Sequence, residues 1–267
     1  MKYFVLILTV IQLVLFQPLI AKTAEEITSP NLEREKRMAE EVEDAVLDGE
    51  VLFLKDEGHE FMAIDMEAEG DTKGAVIILH GRGFHPNWQD TVFPLRTQLP
   101  ADGWRTLSLQ MPVLVKTAKY YDYEPLFPLA GPRIEAGINY LKEQGVENII
   151  LLAHSCGGHM AMEWIRSNEG KVDDMISAYI GAGMGATDFG QKMKKPFPYE
   201  SLKIPVLDVF GSKEYSAVLS KAPGRLMMIT KAGNPKSLQV IVPGADHYFT
   251  DKDDELVKPV SEWLDTL

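Results

Sequence analysis

Apolar positions fall into two kinds of run along this chain. From residue 74 onward, short continuous apolar stretches recur: Gly74-Ala75-Val76-Ile77-Ile78-Leu79-His80, Thr106 to Met111, Asn148 to Ala153, Met175 to Ile180, Val206 to Phe210 and Leu238 to Val242. Runs of this length without alternation predict strands buried on both faces. Between them lie segments with helical spacing, at 90–99, 131–145, 157–168 and 217–231, with a last helix from about Asp253. Pro132 near the first turn and Gly145 at the end bracket the second of these. Strands alternating with helices predict a parallel, doubly wound α/β sheet covered on both faces.

The N-terminal third departs from that pattern. Residues 51–55 and 60–67 flank Asp56-Glu57-Gly58 and predict a hairpin, the antiparallel edge of the larger sheet. Residues 22–48 are strongly charged, with only Leu32, Met38, Val42 and Val46 forming a thin apolar stripe, which predicts a peripheral helical segment. Residues 1–21 begin with Met1-Lys2-Tyr3, continue apolar from Phe4 to Phe16, and end in Gln17-Pro18-Leu19-Ile20-Ala21. That is the pattern of a signal peptide cleaved after Ala21, and the Gln17-Pro18 break leaves the run short of the ~20 residues a membrane span needs. The chain thus divides into a signal segment at 1–21, the charged segment at 22–48 and one α/β domain at 49–267, with export to the periplasm or beyond as the expectation.

Charge and cysteine count narrow the chemistry. The 267 residues carry 39 acids against 27 bases, a formal net charge of −12. A chain this acidic is a poor partner for nucleic acid or anionic membranes. With a single cysteine, Cys156, there is no intramolecular disulfide and no Cys-based zinc site. The histidine pairs His80/His85 and His154/His159 lack a carboxylate that would complete a metal-ligand pattern, so neither metal nor other cofactor is expected.

In open α/β sheets, reactive groups gather beyond the carboxyl ends of the strands. The strand at 148–153 runs into His154-Ser155-Cys156-Gly157-Gly158 and then at once into a helix. Small residues two before and two after Ser155 allow the sharp strand-turn-helix that lifts a serine clear of the backbone. The thiol of Cys156 is the competing nucleophile, but shifting the turn by one residue would put His154 where a small residue is needed. Other strands end in the loop His80-Gly81-Arg82-Gly83-Phe84-His85, in Gly211-Ser212-Lys213-Glu214 and in Gly244-Ala245-Asp246-His247. A serine needs a base, and the base needs a carboxylate. His247 fits the base, and the order Ser155, then an acid, then His247 leaves the acid open, with Glu214 past a strand end and Asp208 inside that strand among the candidates. Trp88, Trp104, Tyr120, Tyr121 and Tyr123 could line a pocket or simply pack.

On the His80-Gly81 loop, the serine turn, Gly211-x-x-Glu214 and Gly244-x-x-His247, the chain from about residue 50 onward resembles the α/β-hydrolase superfamily. Residues His80 to Trp88 and Thr106 to Pro112 further resemble an exported bacterial group of unknown function within it. The resemblance implies Ser155 as nucleophile, His247 as base, Glu214 as acid where Asp is commoner, and the backbone N–H groups of Arg82 and Cys156 as oxyanion hole. It implies a serine esterase or thioesterase acting on a small acyl ester through an acyl-enzyme. Acyl transfer with the same residues, or a catalytically silent envelope protein with a binding role, are the alternatives. Only about 25 residues separate the strands at Ile180 and Val206, so a short lid is expected, with residues 112–130 able to add to it. His80 is expected to orient the loop that follows it, and His154 to pack or hydrogen-bond beneath that loop.

Overall fold

The continuous apolar runs occupy the middle of one eight-stranded sheet in a computed structural model that describes residues 29–267. The strands are β1 (Glu50–Lys55), β2 (Glu60–Met66), β3 (Gly74–Leu79), β4 (Trp104–Leu109), β5 (Ile149–His154), β6 (Ala178–Ala182), β7 (Val206–Gly211) and β8 (Leu238–Val242), in the order β1-β2-β4-β3-β5-β6-β7-β8. Pairing is antiparallel from β1 through β2 to β4 and parallel from β4 to β8. The antiparallel hairpin edge and parallel body are those expected from the sequence.

Every residue of β3, β4, β5, β6 and β7 is buried, and the period of two along a strand sorts their side chains between two cores. Ala75, Ile77 and Leu79 of β3 face one layer, where α4 (Gly131–Glu143) and α5 (Cys156–Ser167) supply Ile134, Ile138, Leu141, Met160 and Ile165. Val76 and Ile78 face the other, where α2 (Val92–Gln98) and α8 (Asp253–Leu264) supply Val92, Leu95, Leu256, Val260 and Trp263. Asp253, Asp254 and Glu255 occupy the first turn of α8, where acids suit the helix dipole.

Some boundaries move. The expected strand at 175–180 is β6 at 178–182, because Met175 and Ile176 belong to the turn that precedes it. The single helix expected at 217–231 is two, α6 (Ser216–Leu219) and α7 (Ala222–Ala232): Pro223, lacking an N–H, starts the second. The region 112–130 holds α3 (Tyr120–Tyr123) and two short 3-10 turns.

The charged segment forms α1 (Leu32–Glu43), N-capped by Asn31, whose side chain accepts from the Arg34 N–H. Of the expected stripe Val42 is buried and Val46 packs beside it, while Leu32 is exposed; Glu35 and Ala39 complete the buried face. Glu35 is buried because it pairs with buried Arg133 at 2.9 Å and accepts from the Val113 N–H. The signal segment at 1–21 and residues 22–28 lie outside the described residues. No helix among the described residues is long and apolar enough to cross a membrane.

Candidate active site

Ser155 sits between the end of β5 and the first residue of α5 with φ 55° and ψ −114°. A non-glycine residue in that region costs on the order of 1–3 kcal/mol, which the packing of β5 and α5 must hold in place. The small residue at Gly157 is what permits it: a Cβ there would lie 2.5 Å from the His80 carbonyl oxygen. The strained turn is anchored by the Ser155 N–H donating to the Ala182 carbonyl at 3.0 Å.

His247 lies between Ser155 and Glu214. Its Nε2 is 2.7 Å from Ser155 Oγ and its Nδ1 is 2.7 Å from Glu214 Oε2. All three are buried, at 8%, 6% and 3% exposure for Ser155, Glu214 and His247. An unprotonated carboxylate can only accept, so Nδ1 carries the proton toward Glu214 and Nε2 is left to accept from the serine hydroxyl. Glu214 Oε2 also accepts from the Tyr215 N–H at 3.0 Å, while Oε1 has no partner among the described residues.

The loops bearing Glu214 and His247 are zipped together by backbone. Ser212 N–H donates to Val242 O at 2.9 Å, Lys213 N–H to Ala245 O at 2.8 Å, and Gly244 N–H to Ser212 Oγ at 2.7 Å. Gly211 makes this approach possible, since a Cβ there would meet Ala245 O at 2.2 Å. Asp208, the alternative acid, is elsewhere in the fold: within β7 it accepts from Arg225 Nε at 2.8 and 3.0 Å and from Gln239 Nε2 at 2.7 Å. The structure brings Ser155, Glu214 and His247 together and leaves Asp208 out.

Arg82 and Cys156 border the same space. Cys156 opens α5, so its N–H has no acceptor within the helix. Its thiol is buried, and burial pushes it up to about 12, which leaves it a poor nucleophile. The Arg82 loop is held from three sides. His80 Nε2 accepts from the Met111 N–H at 2.9 Å, so its Nδ1 carries the proton to Gly81 O at 2.7 Å; burial holds the ring neutral, down at about 3. Arg34 of α1 donates to Gly83 O at 2.8 Å and to Leu114 O. The Arg82 guanidinium itself pairs with Asp188. Beneath the site, His154 hydrogen-bonds through Nε2 to the His247 carbonyl at 2.9 Å.

The cavity above Ser155 has a volume of ≈ 950 Å³. Both lid segments roof it: Ala186 to Met193 from the β6–β7 connection and Tyr120 from the 112–130 region. They are joined where the Tyr120 N–H donates to Asp188 at 2.7 Å and the Tyr121 N–H to Gln191 at 3.0 Å. Of the aromatic candidates, Tyr120 lines the cavity. Trp88 stacks on Phe84 with ring centroids 3.7 Å apart, Trp104 is core, and Tyr123 is buried with its hydroxyl accepting from the Leu114 N–H. The walls that sequence reasoning missed are Phe84, His159, Asp188, Tyr215, Lys221 and Tyr248. Tyr215 and Tyr248 directly follow Glu214 and His247, a signal that was there to be read; Asp188 and Lys221 reach the site only through the fold.

Similarity to known proteins divides by region. Residues 10–124 match a family described as "Protein of unknown function (DUF3530)", a match that stops before Ser155. No curated protein matches the sequence. Among solved structures, dienelactone hydrolase from Anabaena variabilis superposes with TM-score 0.63 at 16% identity, over 82% of this chain and 97% of that one. Est1E from Butyrivibrio proteoclasticus gives 0.62 at 16% identity, over 82% and 98%. A protein from Xanthomonas campestris titled as an a/b serine hydrolase without lid gives 0.61 at 13% identity, over 83% and 95%. The fold is that of the α/β-hydrolases. In that fold the eight-stranded sheet with its antiparallel edge carries the serine turn after β5, the acid loop after β7 and the histidine loop after β8, the chain order of Ser155, Glu214 and His247.

Proposed function

We propose that the protein is an exported serine hydrolase that cleaves carboxylic or thioesters through an acyl-enzyme. The observation that carries this reading is the position of His247, within 2.7 Å of both Ser155 Oγ and Glu214 Oε2. Ser155 Oγ attacks the ester carbonyl as its proton passes to His247 Nε2, and Glu214 stabilises the resulting imidazolium. The oxyanion forms against the N–H groups of Cys156 and Arg82, where fixed donors in a partly enclosed site act on charge as it develops. His247 then returns the proton to the leaving alcohol or thiol. In the second half-reaction it takes a proton from water, which releases the acid. The substrate is a small molecule, in keeping with a cavity of ≈ 950 Å³. Export rests on the sequence of residues 1–21 alone.

Labelling with a fluorophosphonate together with a panel of short-chain esters tests the reading. Wild type is expected to be labelled at Ser155 and to hydrolyse esters, and Ser155→Ala to lose labelling and at least about 10³-fold in kcat. Folded wild type that resists the probe, or hydrolysis undiminished in Ser155→Ala, would overturn it.

A further inference from the structure

The cavity over Ser155 has a charge balance opposite to that of the chain. Acids outnumber bases 39 to 27 overall, yet among the described residues the charged groups lining the cavity are the cations of Arg82, Lys192 and Lys221 and the single carboxylate of Asp188. That carboxylate is already committed, since it accepts from the Arg82 guanidinium and from the Tyr120 N–H. Half-buried Lys221 and exposed Lys192 have no acidic partner among the described residues.

Lys221 is the more telling of the two. Its ammonium donates to the Ala217 carbonyl at 2.8 Å and the Gly185 carbonyl at 3.3 Å. An ammonium has three N–H donors, so one remains, on a residue of the cavity wall beside Ser216 and Ser220. Burial and the neighbouring Arg225 pull this lysine below its ordinary range, with no carboxylate to offset them. A partly desolvated cation costs free energy until an anion reaches it. A bound carboxylate would relieve that cost.

We infer that the substrate carries a carboxylate in addition to the ester that is cleaved, and that Lys221 binds it, with Lys192 at the rim. This rests on the esterase reading for its chemistry, though not for the anion contact. Esters that keep one free carboxylate, on the acyl or the alcohol side, are thereby the substrate class, and the analogues with that carboxylate esterified are those the site discriminates against.

Two matched pairs test it: monomethyl glutarate against dimethyl glutarate, and 4-acetoxybutanoate against its methyl ester, which place the charge on the acyl and alcohol sides respectively. Each is measured twice, as kcat/KM in wild type and as Kd by calorimetry on Ser155→Ala. In at least one pair the charged member is expected to be favoured about tenfold or more, by an amount that falls with added salt. Lys221→Met is expected to bring that ratio close to one. Equal or better binding of the neutral member in both pairs, a preference that survives in Lys221→Met, or a parallel loss for both members of a pair would overturn the inference. Failure of the esterase reading reads differently: no wild-type turnover of any of the four compounds, with the Kd preference on Ser155→Ala still reporting the anion site.

Discussion

Two carboxylates on one stretch of chain meet opposite fates. Asp208, inside β7, is completely buried and saturated: Arg225 and Gln239 both donate to it, and Arg225 in turn donates to Met184 O at 2.9 Å and Val218 O at 3.0 Å. That network pins α7 and the base of the β6–β7 connection to the sheet. Glu214, just past the strand end, makes one bond to His247 and one to a backbone N–H, and its Oε1 has no partner among the described residues. Burial alone therefore does not decide what a carboxylate is free to do. A carboxylate locked to a fixed guanidinium gains nothing when a histidine charges elsewhere, whereas one whose main partner is an imidazole stabilises the cation that forms on it.

The largest effect that would break this comparison is at Glu214. Glu214→Gln keeps the shape but no longer holds the Nδ1 proton against a negative charge, so kcat is expected to fall about 10³ to 10⁴-fold. Little change in thermal stability should accompany it. Steady-state kinetics beside a melting curve checks both; near-normal kcat would remove Glu214 from the mechanism. Asp208→Asn should show the reverse. It leaves the Arg225 guanidinium buried without its counter-charge, at a cost of about 3–5 kcal/mol in unfolding free energy. Active-site-titrated kcat should stay within a few-fold of wild type. Denaturant unfolding and titration with a fluorophosphonate separate the two terms. A selective loss of kcat with stability intact would make Asp208 the acid instead.

The difference between these acids was half legible in the sequence. Continuous apolar runs gave β3, β5 and β7 because strands buried on both faces leave no polar alternation, and the position of Glu214 after a strand end marked it as the better candidate. What sets Asp208 apart, its pairing with Arg225, comes from a helix that the sequence placed without saying which way it faced. The expected strand ended at Ile180; Gly181 instead continues β6, with Met184 and Tyr199 packed where a Cβ would point. The Arg82–Asp188 pair and the Arg34 contact to Gly83 join residues far apart along the chain, and no local pattern encodes them. Trp104 and Tyr123 had the composition of pocket walls, but core packing claimed them.

The same contrast between partnered and unpartnered groups recurs at smaller scale in two neighbouring histidines. The rings of His247 and His154 have centroids 5.1 Å apart. His247 has Glu214; His154 has only a backbone carbonyl, and its Nδ1 has no partner among the described residues. Burial, reinforced by the nearby His247, brings His154 from its ordinary value of 6.5 down to about 3. Between those two values the unfolded chain binds a proton that the folded one refuses, so stability falls as pH drops below about 6.5 and goes on falling toward pH 3. At pH 5 the loss from His154 is on the order of 2 kcal/mol, and His80, brought down to about 3 by its own burial, adds a similar amount. Unfolding free energies measured from pH 7.5 to pH 5 should therefore decline steadily. In His154→Gln, whose amide can still donate to the His247 carbonyl, the slope below pH 6 should lessen by about 1.4 kcal/mol per pH unit, the equivalent of one proton. An unchanged slope would mean that His154 charges without unfolding the protein, and the contrast with His247 would then rest on geometry alone.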